Sequence, residues 1–224
     1  MMQHKNVKLF LVPLFCIGLN GLHGQTVRDI DGNVYQSVKI GSQFWMAENL
    51  KTTRYRNGDS IRTTSLATLN ITSESAPEYQ WAYDGNESNT ATYGRLYTWY
   101  AVTDSRNVCP TGLHVPTEKE WTTLTSYLGG ESVAGGKLKE TGTIHWKNPN
   151  TGATNEIGFA ARPGGYRYGS GTFFDIGGTG NWWSSTEVSG TNAWCYTIYN
   201  YLRRVDKHYG KKTNDLAVRC IWDN

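Results

Sequence analysis

Three cysteines, Cys109, Cys195 and Cys220, are the side chains after residue 24 that are best suited to chemistry. A thiolate can act as a nucleophile or bind a soft metal, but a copper site needs two free thiols that converge. In an oxidising compartment, three cysteines are most simply one disulfide and one spare thiol. We expect Cys109 to pair with Cys220 and close a long loop, although the sequence alone does not fix the connectivity.

Histidines give no indication of a catalytic or metal site. His114, His145 and His208 have neither a carboxylate nor a second histidine at the spacing typical of metal ligands, which favours structural or surface roles. The chain also has no G-x-S-x-G, no H-E-x-x-H and no phosphate-binding glycine loop. We therefore predict no catalytic residue.

Aromatic residues are abundant, with nine tryptophans and fourteen tyrosines. Trp182 and Trp183 are adjacent, so in a strand they face opposite sides, and we expect one of them to be exposed or covered by a loop. Exposed aromatic rings suit stacking on sugars or a protein interface. Our candidate binding residues are Tyr166, Tyr168, Trp182 and Glu187, and packing in an aromatic core is the alternative for each ring.

Oxygen-bearing side chains provide one further hypothesis. Asp175, Asn181 and Glu187, with backbone carbonyls, could form a calcium site, since calcium prefers six to eight oxygen ligands. Hydrogen-bonded loop residues are the alternative, and we predict no resident cofactor or metal. Residues 29–33 resemble a calcium loop only superficially, and a hairpin turn is the favoured interpretation.

The first 24 residues have the pattern of a secretory signal peptide. Two lysines precede an apolar run from Leu9 to Leu19, which is too short to span a bilayer, and we expect cleavage before Gln25. A lipoprotein attached through Cys16 is the alternative, but the residues before this cysteine are not small. The sequence therefore predicts a protein that is secreted or associated with the bacterial cell surface, with no transmembrane segment.

Residues 25–224 are long enough for one domain with its own core, and nothing in them indicates a linker. The formal net charge is +3 and the basic residues are scattered, which excludes the clustered patch of a nucleic-acid-binding surface. The pairs Arg203-Arg204 and Lys211-Lys212 are interpreted as solvated strand ends.

The best-marked element is a helix that begins at Glu118. Thr117 and Glu120 fit a capping box, Trp121 and Leu124 recur at helical spacing, and Gly129-Gly130 can end the helix. A second helix is expected over 96–103 and a weaker one over 132–140, whereas 51–92 has little periodicity. Alternation and turn residues predict strands at 27–30, 34–40, 43–46, 78–83, 159–162, 166–168, 181–187, 193–199, 202–208 and 216–222. The predicted fold class is α+β, a loop-rich domain with antiparallel sheets and a few helices.

Several motifs, in order along the chain, resemble the Fibrobacter succinogenes major paralogous domain. The most distinctive are Gln43-x-Trp-Met-Ala-Glu-Asn-Leu-Lys51, Gly94-Arg-Leu-Tyr-x-Trp-Tyr-Ala-Val102, Cys109-Pro-x-Gly-x-His-Val-Pro-Thr117, Pro163-Gly-Gly-Tyr-Arg167, Trp183-Ser-Ser-Thr-Glu187 and Val218-Arg-Cys220. The segment 115–121 and the terminal Val-Arg-Cys are also similar, more distantly, to the formylglycine-generating, sulfatase-modifying-factor group.

These resemblances imply a C-type-lectin-like fold and a secreted or surface-associated bacterial protein. The tripeptides of calcium-dependent sugar sites in C-type lectins do not occur here, so that mode of binding is not implied. We expect an exported, non-catalytic binding or adhesion module with a glycan or protein ligand. An enzyme related to the formylglycine-generating oxidases and a purely structural surface protein are the alternatives, because fold does not determine function.

Overall fold

The computed structural model describes residues 25–223, and the predicted signal peptide lies outside these residues. The described chain is mostly β-structure with long loops and short helices. Its helices are α1 (Thr90–Tyr93), α2 (Trp99–Val102), α3 (Glu118–Tyr127) and α4 (Glu131–Leu138), with 3₁₀ turns at Tyr83–Gly85 and Glu87–Asn89. Its strands are β1 (Thr26–Arg28), β2 (Val34–Ile40), β3 (Gln43–Met46), β4 (Gln80–Trp81), β5 (Leu96–Thr98), β6 (Leu113–His114), β7 (Gly164–Arg167), β8 (Phe173–Ile176), β9 (Thr179–Ser189), β10 (Asn192–Tyr199), β11 (Val205–Lys211), β12 (Asp215–Leu216) and β13 (Ile221–Trp222).

Two sheets contain these strands. The smaller has the order β1-β2-β3-β13-β6, so the first and last strands of the described chain share one sheet. The larger has the order β11-β10-β9-β7-β12-β5-β4, with β8 paired to β7. The strand pairs are antiparallel except for a short parallel contact between β7 and β9. The predicted loop-rich architecture of antiparallel sheets with a few helices is confirmed at this level.

Local sequence signals correctly predicted the first three strands and α3. Strands β1 to β3 form the expected meander, and the carboxylate of Asp29 accepts hydrogen bonds from the Asn33 amide (2.9 Å) and the Tyr35 hydroxyl (2.6 Å) within the turn. The capping box of α3 is present, with the Glu120 carboxylate 2.8 Å from the Thr117 amide nitrogen. These short-range bonds need no distant partner, which is why the sequence predicts them.

The helix predicted over 96–103 is wrong in its first half. Leu96–Thr98 is strand β5, and only Trp99–Val102 is helical. Strand β5 lies between β4 and β12, and all three of its residues are buried. Because both faces of the strand are covered, its residues do not alternate between apolar and polar, and the spacing of its apolar residues resembles that of a helix. The strand expected at 159–162 is a single β-bridge at Ala161, and β8 forms where a loop was expected.

Strand β9 separates two hydrophobic clusters. Trp182 packs with Trp121, Tyr196 and Phe159, whereas Trp183 packs on the opposite face with Tyr97 and the cysteines. Both tryptophans are 0% exposed, so of the two alternatives expected for one of them, exposure is wrong and coverage by other parts of the chain is what the structure shows. The reason is that this part of the sheet is covered on both faces, which a pattern of adjacent aromatic residues does not reveal.

Cys109 and Cys220 form a disulfide across 111 residues of sequence. It joins the segment before α3 to the segment before the last strand, which is the expected pairing. In the chain-entropy model, a loop of this length corresponds to a stabilisation on the order of 5 kcal/mol.

A buried lysine connects three loops around α4. The Lys139 ammonium, fully buried, donates to the carbonyl oxygens of Thr151 (2.9 Å), Leu202 (2.9 Å), Tyr199 (3.1 Å) and Asn200 (3.4 Å). It also lies 5.5 Å from the centre of the Trp146 ring. Burial lowers the pKa of Lys139 to about 8. The Asn200 and Tyr199 carbonyls also accept backbone N–H groups, at 2.7 and 3.5 Å, so the cation matters most as a donor to Thr151 and Leu202.

We predict that Lys139→Met lowers the free energy of unfolding by about 3 kcal/mol, because four hydrogen bonds to loop carbonyls are lost at once. Urea unfolding measures the difference. The matched control is Lys137→Met, which removes a half-exposed lysine paired with Glu156 at 3.1 Å and should change stability by no more than about 0.5 kcal/mol. Equal effects of the two substitutions would contradict the role assigned to Lys139.

A tyrosine-rimmed cavity on the larger sheet

An open cavity of about 300 Å³ lies on one face of strands β9, β10 and β11. Every second residue of β9 lies on this face, and these include Thr179 and Asn181. Across the ladder, Thr179 pairs with Tyr199 of β10 and Asn181 pairs with Thr197. Further along the same face, Trp183 enters the core. The sheet therefore changes along one face from an apolar core to a polar cavity floor.

Hydrogen bonds fix the side chains of this floor. The Asn181 amide nitrogen donates to the Thr179 hydroxyl (2.9 Å) and to the Gly165 carbonyl (3.2 Å). The Asn181 carbonyl oxygen accepts from the Thr197 hydroxyl at 2.7 Å. Each hydroxyl has further capacity, since an OH group donates once and accepts twice. The floor can thus offer neutral donors and acceptors to a ligand without rearranging.

One side of the rim is an aromatic cluster on β7 and β8. The rings of Tyr166, Tyr168 and Phe174 lie 5.1–5.6 Å apart between centroids, and 42% of Tyr168 is exposed. Gly165 makes this arrangement possible: its φ is +64°, and a Cβ there would collide with the backbone of β8 at Phe174. Burial raises the pKa of Tyr166, so its hydroxyl stays protonated and able to donate.

The other side of the rim comes from β10 and β11. Tyr199 lines the cavity and lies 5.4 Å from Tyr201 between ring centroids. Tyr209 is 61% exposed and borders the cavity, but it pairs with Trp194 across the ladder, so its side chain projects from the opposite face of the sheet. Asp175 and His208 are the ionisable residues other than tyrosine and cysteine on the wall. Beyond Tyr168 and Tyr209 the surface continues into a second depression of about 420 Å³ that shares both tyrosines. The two depressions form a continuous groove.

The structure brings only some of the predicted binding residues to this cavity. Tyr166 and Tyr168 line it. Trp182 does not, because its ring lies in the core on the opposite face and its indole nitrogen donates to Asn49 at 2.8 Å. Glu187 lies near the exposed end of β9, where its carboxylate accepts from Lys212 at 2.8 Å.

Sequence reasoning missed Tyr199, Tyr209 and Thr197 as residues of the site. Alternation along β10 places Tyr199 and Thr197 on one face, but no local signal shows that this face is open to solvent. Whether this face is covered depends on the positions of β7 and β8, which come earlier in the chain at 164–167 and 173–176.

The proposed calcium ligands are divided between two places. Asp175 and Asn181 both line the cavity, but Glu187 is bonded to Lys212 outside it. The Asn181 carbonyl oxygen already accepts from Thr197. Within residues 25–223, no group of three or more His, Cys, Asp or Glu side chains is arranged to hold a metal ion.

The remaining thiol, Cys195, is buried at the edge of the cavity floor. Burial raises its pKa to about 12, so the thiolate form is scarce at neutral pH. The oxidase alternative requires two free thiols that converge, and the other two cysteines of the described chain are joined to each other.

We predict that Cys195 in the native protein reacts with iodoacetamide at pH 8 at least about a thousandfold more slowly than in the urea-unfolded chain, since a pKa near 12 leaves few thiolates and burial limits access. Peptide mapping by mass spectrometry measures labelling at this residue alone. Native labelling within about tenfold of the unfolded rate would contradict the buried, protonated thiol.

The geometry defines a single β-rich domain with a disulfide and an open, tyrosine-rimmed cavity. A family model described as the Fibrobacter succinogenes major domain matches residues 38–222, which is most of the chain. The chain belongs to this family, as the motifs indicated. No curated protein and no solved structure matches it. Within the described residues, no helix has the length and apolar character required to cross a membrane.

Proposed function

We propose that this protein is an exported, non-catalytic binding or adhesion module whose ligand site is the tyrosine-rimmed cavity. The observation that carries the proposal is the combination of a hydrogen-bonded neutral floor and exposed tyrosine rings at one cavity. Ligand sites are typically concave, with a few placed polar groups among apolar walls. The scaffold is proposed to be C-type-lectin-like, which is consistent with curled antiparallel sheets, few short helices and terminal strands in one sheet.

A carbohydrate is the class of ligand that this surface suits best. The flat faces of Tyr168 and Tyr199 can stack on the C–H faces of sugar rings, while Thr179, Thr197 and Asn181 can bond to hydroxyl groups. Because the cavity continues into the neighbouring depression past Tyr168 and Tyr209, a ligand of several sugar units fits the groove better than a single sugar does. A protein partner would more commonly use a broad, flatter patch with an apolar centre.

Export is supported by two independent features. The first is the signal-peptide pattern of residues 1–24. The second is the Cys109–Cys220 disulfide, since structural disulfides persist in oxidising compartments and are rare in the cytosol. The oxidase alternative receives no support from the thiols, because they do not form a pair of free, converging side chains.

A glycan array followed by calorimetric titration tests the proposal. We predict that Tyr168→Ala and Tyr199→Ala each weaken binding of an array-positive oligosaccharide at least about tenfold, because each removes a stacking surface from the rim. Tyr127→Ala is the matched control: this tyrosine is 62% exposed on α3 and does not line the cavity, so its removal should leave the affinity unchanged.

Two results would overturn the assignment. Binding that is unaffected by both rim substitutions would place the ligand elsewhere on the molecule. An array with no positive glycan, together with a protein partner whose binding requires Tyr168 and Tyr199, would keep the cavity as the site but reject carbohydrate as its ligand.

A further inference from the structure

A second, smaller cavity of about 170 Å³ shares no residue with the tyrosine-rimmed cavity. Three segments enclose it: the stretch after β3 at 47–51, the turn at 91–94 and the loop at 160–162. Arg219 lies at its base and is 1% exposed. Its lining includes three basic side chains, those of Lys51, Arg162 and Arg219, and one acidic side chain, that of Glu48.

Arg219 is a buried cation without an acidic partner in the described chain. Its guanidinium donates to the Asn49 carbonyl oxygen (3.0 and 3.2 Å) and to the backbone oxygens of Phe159 and Ala160, all of which are neutral. No ion pair involves it among residues 25–223. These contacts use four of the five guanidinium N–H groups, so one remains for a further acceptor.

The other fully buried arginine of the described chain, Arg167, has an acidic partner. Arg167 is 0% exposed, and it forms an ion pair of 2.9 Å with the equally buried carboxylate of Asp215. An isolated buried charge is unfavourable by several kcal/mol, and a counter-ion is the usual compensation. Arg219 has neutral acceptors and a cavity where Arg167 has a carboxylate.

The two other cations on the wall leave the cavity basic. Arg162 is held by Glu140 (2.9 Å) and by the carbonyl oxygen of Thr92 (3.2 Å), and Lys51 lies 5.3 Å from the centre of the Tyr35 ring. The carboxylate of Glu48 already accepts from the backbone amide of Gln36 at 3.0 Å. The lining therefore carries three positive charges against one negative charge, and Glu140 beyond the lining offsets Arg162, so a net positive charge remains in a space the size of about five or six waters.

The backbone of the wall is strained where it approaches Arg219. Ala160 has φ +49°, a conformation that a residue with a Cβ rarely adopts, and the Asn155 side chain holds it there by accepting from its amide at 2.7 Å. In this conformation, the carbonyl oxygens of Phe159 and Ala160 accept hydrogen bonds from the Arg219 guanidinium. Local strain of this kind concentrates at ligand sites, because the surrounding structure must maintain it.

We propose that this cavity binds a small oxyanion, a carboxylate or a phosphate-type group, between Arg162, Lys51 and the base formed by Arg219. Arg219 supplies the buried positive charge and its remaining N–H group, while Arg162 and Lys51 supply donors nearer the solvent. Guanidinium groups match the geometry of both carboxylate and phosphate oxygens, and an ammonium acts as a point charge beside them. The site is independent of sugar binding at the tyrosines.

The test is thermal unfolding of the full chain with sodium phosphate or sodium acetate titrated to about 20 mM, with chloride adjusted to hold the ionic strength constant. A bound anion stabilises the folded state by mass action. At tenfold excess over its dissociation constant we expect the melting temperature to rise by roughly 3–6 °C and then to approach saturation.

Substitutions distinguish a site from a general salt effect. The double variant Lys51→Gln with Arg162→Gln should lose the anion-dependent shift, whatever its own melting temperature. The control Arg204→Gln removes an exposed arginine that pairs with Asp206, outside the cavity, and should keep the shift. Arg219 is left intact because its removal would disturb folding.

Each outcome decides the proposal. A saturable shift with phosphate alone, acetate alone or both, lost in the double variant, supports the site and identifies the class of oxyanion. No shift, a linear rise without saturation, or a shift retained by the double variant would overturn it, since excluded salts also stabilise proteins without binding.

Discussion

The side chain of Asn49 holds together the part of the molecule on which both cavities depend. Its carbonyl oxygen accepts from the Trp182 indole (2.8 Å) and from the Arg219 guanidinium, and its amide donates to the Tyr93 carbonyl (2.8 Å). A buried indole N–H or guanidinium without an acceptor would be costly, so this one amide allows β9 to be covered on the Trp182 face. With both faces of the middle of β9 buried, the cavity floor forms at the end of the strand near Thr179.

Buried charges are handled in three different ways in this domain. Arg167 has the carboxylate of Asp215, Lys139 has four loop carbonyls, and Arg219 has Asn49, two carbonyls and an open cavity. The first arrangement joins the paired strands β7 and β12, and the second joins the end of α4 to the loops at Thr151 and at 199–202. At all three sites the main unfavourable contribution to the folding free energy is the removal of the charge from water, and the acceptors compensate for it. Removing an acceptor would leave the buried charge uncompensated.

Elements that depend on neighbouring residues could be predicted from the sequence, and elements that depend on distant coverage could not. The capping box at Thr117 and the first three strands involve bonds within a few residues, and the disulfide partners could be paired by their places in the chain. Whether Trp182 is exposed or covered could not be decided from the sequence, because Asn49 and Trp121, which cover it, lie 133 and 61 positions away. Tyr166 and Tyr168 were placed on a binding surface, but their partners Tyr199 and Tyr209 join them only through the order of strands in the larger sheet.

In the proposed function, ligands occupy the polar floor of the tyrosine-rimmed cavity. The most direct measurement is a ¹H–¹⁵N NMR titration of the protein with the oligosaccharide that it binds. We expect the side-chain amide signals of Asn181 and the backbone signals of Thr179 and Thr197 to shift most, with saturation at the calorimetric stoichiometry. Shifts confined to α3 around Tyr127, with the signals of Asn181 unmoved, would contradict it.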